Sequence, residues 1–342
     1  MTPGKIIASS IRGIRTIETQ GLRNGVLPVN HYTACDLGSV TKILATSSII
    51  MKLIETEQIA LDDQVVRYLP EWSEYKKPGV TLRDLLEHQS GLNPWRPLYI
   101  SQRSAIEARM AIANEGFQHL QGRHYSDLGF ITLGNVITEV LSTTLEDAFK
   151  EWVSYPLGLK LTQFSHPVDA SDVFASSFGD DAEFKMVTSQ IPYKTQEKAE
   201  DFTRWRKNML AGEVNDGNSF HLYRGISGHA GLFSTAADLL TYGESLLQSF
   251  NGDGYFKEDV IKEFLTPGRD PMQGLGFRNW HNNDEIEYWG HTGFPGVALA
   301  ISPIRRQVLV LMTNRLLVPG DPEQTENIFE TFRREKWAKN YE

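Results

Sequence analysis

The chain is poor in cysteine: Cys35 is the only one in 342 residues. An intrachain disulfide and a thiolate cluster are therefore excluded, and beside Asp36 the lone thiol reads as a small buried side chain. Long apolar runs are missing as well, since no stretch approaches the ~18 residues of a membrane span. The first ten residues, Met1 to Ser10, carry neither an extended apolar core nor a cleavage-site pattern. As written, this reads as a soluble, cytoplasmic protein; an export signal trimmed from the start would make it periplasmic or secreted. Positive charge is not in excess either. A net charge of −9 argues against a general binder of nucleic acid or anionic membrane. The nine histidines include no His-x-x-x-His or Glu-spaced pair, so no metal site and no cofactor is expected. No Gly-x-Ser-x-Gly occurs; Gly225-Ile226-Ser227-Gly228-His229 fails at its last position. Internal repeats and low-complexity tracts are absent. What is present, 40% apolar and 23% charged residues, is the balance of a globular protein with capacity for a large core.

Lys5 to Ser10 and Ile14 to Gly21 predict two short strands about the turn Arg12-Gly13. Ile43, Leu44, Ile50, Met51 and Ile54 fall at helical spacing, and that helix ends in Glu55-Thr56-Glu57. A short helix is bracketed by Leu61-Asp62-Asp63 and Pro70. Thr81 with Asp84 caps another, which stops at Gln89-Ser90-Gly91. Residues 104–115 and 128–142 are helical by the same test, and a further helix runs from Thr144 to a break at Pro156-Leu157-Gly158. From Lys160 to Gly228 the pattern weakens, with one amphipathic stretch from Thr195 to Leu210. A segment so long and irregular suits a lid, a binding loop or disorder. A capped helix follows from Ser234 to about Ser249, then another from Lys257 to Leu265. Three short β-rich runs, Glu285 to Gly293, Val297 to Ile301 and Gln307 to Thr313, predict an antiparallel meander. A last helix is expected from about Pro322 to Lys339.

Strands at both ends with helices between imply an α/β (α+β) fold: an antiparallel sheet formed by both chain termini, flanked by helices, with a mostly helical insertion. The expected division is residues 1–60 with 230–342 for the sheet unit and 61–229 for the helical one, which contains the irregular 160–228.

Three stretches carry chemistry. Ser39 and Lys42, in Asp36-Leu37-Gly38-Ser39-Val40-Thr41-Lys42, stand three apart at a helix start and so share a face. A desolvated lysine can take the proton of a serine nucleophile; the alternative is a capping serine beside a solvated lysine. Ser73 and Lys76 have the same spacing. Tyr125-Ser126-Asp127 opens the helix from Leu128, where Asp127 suits the N-cap and Tyr125 a core aromatic. Trp289-Gly290-His291-Thr292-Gly293 runs along a strand, and a glycine there can mark close approach of a ligand to the backbone; otherwise His291 is a surface residue.

In this order, Ser-x-x-Lys, Tyr-Ser-Asp and His-Thr-Gly resemble the penicillin-recognising serine enzymes. The similarity is to the branch of class C β-lactamases, class B D-alanyl-D-alanine carboxypeptidases, D-aminopeptidases and family VIII carboxylesterases. Leu61-Asp62-Asp63, Leu85-Leu86-Glu87-His88-Gln89-Ser90-Gly91, Gly228-His229-Ala230-Gly231-Leu232-Phe233-Ser234-Thr235 and Thr313-Asn314-Arg315 resemble it too, from Pro3 to Arg315. The resemblance implies Ser39 as the acyl-forming nucleophile, Lys42 as its proton acceptor, Tyr125 as an acid–base partner, and His291 in place of a lysine. It also implies an oxyanion hole from the N–H groups of Ser39 and Phe294, with Asp127, Thr292 and Gly293 facing substrate. Two departures stand out. Asp127 occupies the place of an asparagine and, ionised, cannot donate an amide N–H. His291 offers a weaker, pH-dependent charge than lysine.

The expected activity is a serine hydrolase acting on D-Ala-type peptides or small esters, with β-lactamase activity less favoured. A non-catalytic acyl-binding protein of the same fold is the competing class, and retention of Ser39, Lys42, Tyr125 and His291 together speaks against it. The partner expected is a small-molecule or peptide substrate; the oligomeric state is not readable.

Overall fold

The computed structural model describes residues 3–74, 79–115, 124–164, 172–282, 285–318 and 320–338. Its centre is a six-stranded antiparallel sheet made from both ends of the chain. In chain order the strands are β1 (Lys5–Ile11), β2 (Ile14–Gln20), β3 (Arg278–Asn282), β4 (Glu285–Gly293), β5 (Val297–Ser302) and β6 (Gln307–Thr313). In space they lie β2-β1-β6-β5-β4-β3. The first strand thus pairs with the last, Ile7 opposite Leu311 and Ala8 opposite Val310. β5 and β6 are buried along their whole length because helices cover both faces. Val297, Leu299, Val308 and Val310 join the large core with Leu239 and Leu246 of one helix (Ala236–Phe250). Ala298, Ala300, Leu309 and Leu311 turn the other way, onto Phe329 and Phe332 of the C-terminal helix (Thr325–Ala338). Alternation therefore sorts side chains between two cores instead of between core and water. β3 went unpredicted: Arg-Asn-Trp-His-Asn is polar and edge-placed, and its register shifts at Trp280/His281.

The helix carrying Ser39 is not uniform. Gly38–Val40 is a 3₁₀ turn, Lys42–Ser47 is wound as a π turn, and a regular helix follows over Ser48–Glu55. Serine and lysine three apart meet readily across such a start, where side chains at i and i+3 eclipse. Within the π turn the Ile43 carbonyl is bonded by side chains. Ser48 Oγ donates to it at 3.0 Å, Tyr242 OH stands 2.9 Å from it, and the two hydroxyls are 2.9 Å apart. The helix over Asp127–Leu141 packs against this turn and against Leu82–Leu86. The latter begins with a full capping box between Thr81 and Asp84.

Several expectations are corrected. The stretch 160–228 holds real elements, the helices Asp181–Ser189 and Gly217–Tyr223 and the paired strands Ala175–Phe178 and Met209–Ala211. The amphipathic stretch Thr195 to Leu210 is mainly extended, with a single turn at Ala199–Asp201. Its apolar residues anchor an extended segment instead, Phe202 and Trp205 meeting the ring of Tyr99 edge-on at 5.0 and 5.8 Å. The glycine-marked close approaches on β4 are to backbone, not to a ligand. A Cβ on Gly290 would lie 1.9 Å from the Leu299 carbonyl, and one on Gly293 would lie 2.2 Å from that of Leu37. The Ser73–Lys76 spacing lies outside the described residues at Lys76.

Tyr242→Phe removes one donor from the Ile43 carbonyl while Ser48 remains. Its unfolding free energy is expected to fall by about 1 kcal/mol, read as a lower urea midpoint at unchanged slope; an unchanged midpoint would show that the triangle of groups does not hold the π turn.

Candidate active site

Asp36 sets the local geometry. Its carboxylate accepts from Gly38 N (2.8 Å) and from Asn215 N (2.6 Å), pinning the turn that presents Ser39. Burial pushes the Asp36 carboxyl up to about 6, against the pull of those two backbone donors. Gly38 is at φ +49°, and a Cβ there would lie 2.6 Å from Pro295 Cδ and 3.3 Å from Phe294 N. Glycine is required because two backbones approach each other at the site.

Ser39 itself is half-buried, whereas Lys42 is fully enclosed. Lys42 Nζ is 2.9 Å from Ser39 Oγ, 2.6 Å from Asp127 Oδ1 and 3.3 Å from the His229 carbonyl. These three acceptors match the three ammonium donors. Burial lowers the Lys42 pKa, and the Asp127 carboxylate works against that fall. Asp127 is therefore not the helix cap. That role belongs to Ser126, whose Oγ accepts from Gly129 N at 3.3 Å and donates to the Asn93 carbonyl at 2.7 Å. Released from capping, Asp127 turns its side chain to Lys42.

Tyr125 OH donates to Ser39 Oγ at 2.8 Å. Burial, with Asp127 adding to it, pushes this phenol well above its ordinary value, so it stays protonated. The Tyr125 ring lies between two histidines, His88 at 4.7 Å and His291 at 5.7 Å between ring centroids. His88 Nδ1 also accepts from Ser126 N at 3.0 Å, tying the turn before the helix to the Leu82–Leu86 segment. His291 is buried, not on the surface. Burial first, and Lys42 second, hold it well below 6.5. At neutral pH it is uncharged, with Nδ1–H donating to the Thr292 carbonyl at 2.7 Å; the expected pH-dependent cation is replaced by a neutral ring behind Tyr125.

In front of Ser39 lies a cleft of about 780 Å³ bordered by Ser39, Tyr125, Asp127 and Phe294 on one side. The opposite wall comes from the irregular segment, with Phe178, Met186 and Tyr193 among its side chains. His291, Thr292 and Gly293 do not border it. The N–H groups of Ser39 and Phe294 donate to no other group among the described residues, and the Gly293–Phe294 peptide lies against Gly38 and Ser39. Two unspent N–H donors beside a serine hydroxyl are the arrangement that stabilises a tetrahedral oxyanion.

Sequence reasoning missed the supports of this site. His229 supplies the carbonyl to Lys42, while its ring is fixed by Ser227 Oγ (2.9 Å) and Asp216 Oδ1 (2.9 Å). His88, His229 and Arg315 sit in family-like stretches, which was the available signal; Asp216 had none.

Among curated proteins, the chain is 27% identical over 336 residues to an Escherichia coli K12 protein named "Putative D-alanyl-D-alanine carboxypeptidase", covering 87% of this chain and 73% of that one. It is 28% identical over 364 residues to the N-acetylmuramyl-L-alanine amidase of Bacillus subtilis, covering 96% and 78%. A penicillin-binding protein from Bacillus halodurans shares the fold, with a TM-score of 0.69 at 17% identity, covering 96% of this chain and 95% of the other. The mixed sheet-and-helix architecture is thus the one expected from both chain ends. The Beta-lactamase family model matches residues 8–332, a span that takes in the Ser39–Lys42 turn, Tyr125 and the His291 strand, and the chain belongs to the Beta-lactamase family.

Proposed function

We propose that the protein is a serine hydrolase that cleaves the amide bond of small D-Ala-type or acyl-amino-acid peptides through an acyl-Ser39 intermediate. The observation that carries this reading is the pair of contacts at Ser39 Oγ, with Lys42 Nζ at 2.9 Å and Tyr125 OH at 2.8 Å. Environment pushes the two partners toward opposite roles: lysine down toward the neutral amine, tyrosine up toward the phenol. Unprotonated Lys42 takes the Ser39 proton as Oγ bonds to the substrate carbonyl carbon. The carbonyl electron pair moves onto oxygen, facing the N–H groups of Ser39 and Phe294. When the C–N bond breaks, Tyr125 gives its proton to the leaving amine and recovers one from Lys42. Water then repeats the sequence on the acyl-serine and releases the acid. The names of two relatives, a carboxypeptidase and an amidase, support an amide substrate at 27–28% identity.

A second reading, a carboxylesterase, is favoured by one observation. Asp127 is committed to Lys42 and has no N–H to offer a peptide carbonyl, whereas an ester needs no such contact.

A fluorophosphonate probe is expected to add to Ser39 in the wild type and not in Ser39→Ala, read by peptide mass. Labelling of the alanine variant, or none of the wild type, would end the hydrolase reading. Turnover of a D-Ala-D-Ala peptide and an N-acetylmuramyl-L-alanine amide against p-nitrophenyl esters then separates amidase from esterase.

Asp127 favours the ammonium form of Lys42, so the base is freed only as pH rises through the lysine's folded pKa. Asp127→Asn removes that pull, and the acid limb of kcat/KM is expected to move down by roughly 1–3 pH units, the range for loss of one close opposite charge. An unmoved limb would show that Lys42 is not the titrating base.

A further inference from the structure

We infer that Thr325, together with Arg315, is a positioning residue for the oxyanion donor at Phe294; this deepens the acyl-Ser39 reading and rests on it. The N–H of Phe294 belongs to the same planar peptide as the carbonyl of Gly293, so the direction of one fixes the direction of the other. That carbonyl is held from behind. Thr325 Oγ1 donates to it at 3.0 Å and Gly296 N at 3.1 Å. The next carbonyl, that of Phe294, is held in the same manner by Arg315, through Nε at 3.0 Å and Nη2 at 2.8 Å. Both peptide planes flanking the Phe294 α-carbon are therefore fixed by side chains, Thr325 from outside the cleft and Arg315 from its border.

The supports are themselves rigid. Thr325 and Arg315 are both buried. Arg315 spends its third contact on the Glu323 carbonyl, 2.9 Å from Nη1, and so ties the loop to the chain entering the C-terminal helix. Among the described residues the hydrogen bonds of the Arg315 guanidinium go to backbone oxygens, those of Phe294 and Glu323. Burial alone pushes its pKa down to about 10. Two of its three bonds converge on the Phe294 carbonyl, which makes the guanidinium a clamp on the turn that carries Phe294. Thr325 begins the helix that covers one face of the sheet, so the C-terminal helix reaches the reaction centre through a single hydroxyl. A bonded carbonyl also polarises its peptide, which makes the Phe294 N–H a better donor to a developing oxyanion.

A donor that drifts out of line loses transition-state stabilisation while ground-state binding stays. Thr325→Val keeps the shape and deletes the hydroxyl. With a p-nitrophenyl ester as substrate, kcat is expected to fall roughly 10- to 100-fold, less than the roughly 100- to 1000-fold for losing an oxyanion donor outright, with KM nearly unchanged. Inhibition by phenylboronic acid, which forms a tetrahedral adduct on a serine hydroxyl, is expected to weaken in parallel. Thr325→Ser restores both. Arg315→Lys, which keeps the charge but not the paired donors, shows the same split and guards against a valine variant that fails to fold. Thr325→Val with kcat and boronate inhibition at wild-type levels overturns the inference. So does a loss that serine does not restore, or one carried equally by KM. If the wild type is not labelled at Ser39 by a fluorophosphonate, the acyl-Ser39 reading falls, and this inference with it; a labelled wild type beside an unaffected Thr325→Val overturns the inference alone.

Discussion

A lysine with no solvent access is the constraint on which the rest of the structure depends. Lys42 opens the π turn, with Ser39, Asp127 and the His229 carbonyl around its nitrogen. An ammonium in such a place is tolerated only if each donor finds an acceptor, and removing a charged partner from a buried pair typically costs about 3–5 kcal/mol. The three acceptors come from three separate regions of the chain. Each is in turn fixed: Ser39 by Asp36 acting on Gly38 N, Asp127 by the Ser126 cap behind it, and His229 by Ser227 and Asp216.

The same arrangement joins the sheet to the helices beside it. The strand bearing His291 and Gly293 belongs to the sheet closed by the chain ends, while Tyr125 and Asp127 lie on the helical side. Ser39 stands between them. Gly38 allows the Phe294-Pro295 backbone to come close, so that the two free N–H groups share one opening. Any side chain there would push the β4 end away from Ser39. The close packing of the sheet end against the turn at Gly38 thus also sets the spacing of these two N–H groups.

Charge at the site differs from what the sequence motifs suggest in isolation. A histidine on the strand promised a titratable cation, yet burial makes it neutral. An aspartate at a helix start promised a cap, yet the serine before it takes that task and frees the carboxylate for lysine. The cleft thus presents Ser39 and Tyr125 with the enclosed Lys42 behind them, and its opposite wall is built from the segment whose pattern was weakest.

Much was determined by the sequence alone. The strands at both ends, the capped helices at Thr81, Thr144 and Thr235, and the order Ser39–Lys42, Tyr125, His291 were all legible, because periodicity, capping and short motifs are local signals. The contents of 160–228 were not. Its helices are short and its apolar residues, such as Phe202 and Trp205, point at Tyr99 across the chain instead of repeating along it. Only the tertiary structure decided which of Ser126 and Asp127 caps the helix, that His291 is neutral, that His229 and Asp216 stand behind Lys42, and that Thr325 reaches Gly293. These depend on distance and desolvation between residues far apart in the chain, 187 positions in the case of Lys42 and His229, and no local pattern records them.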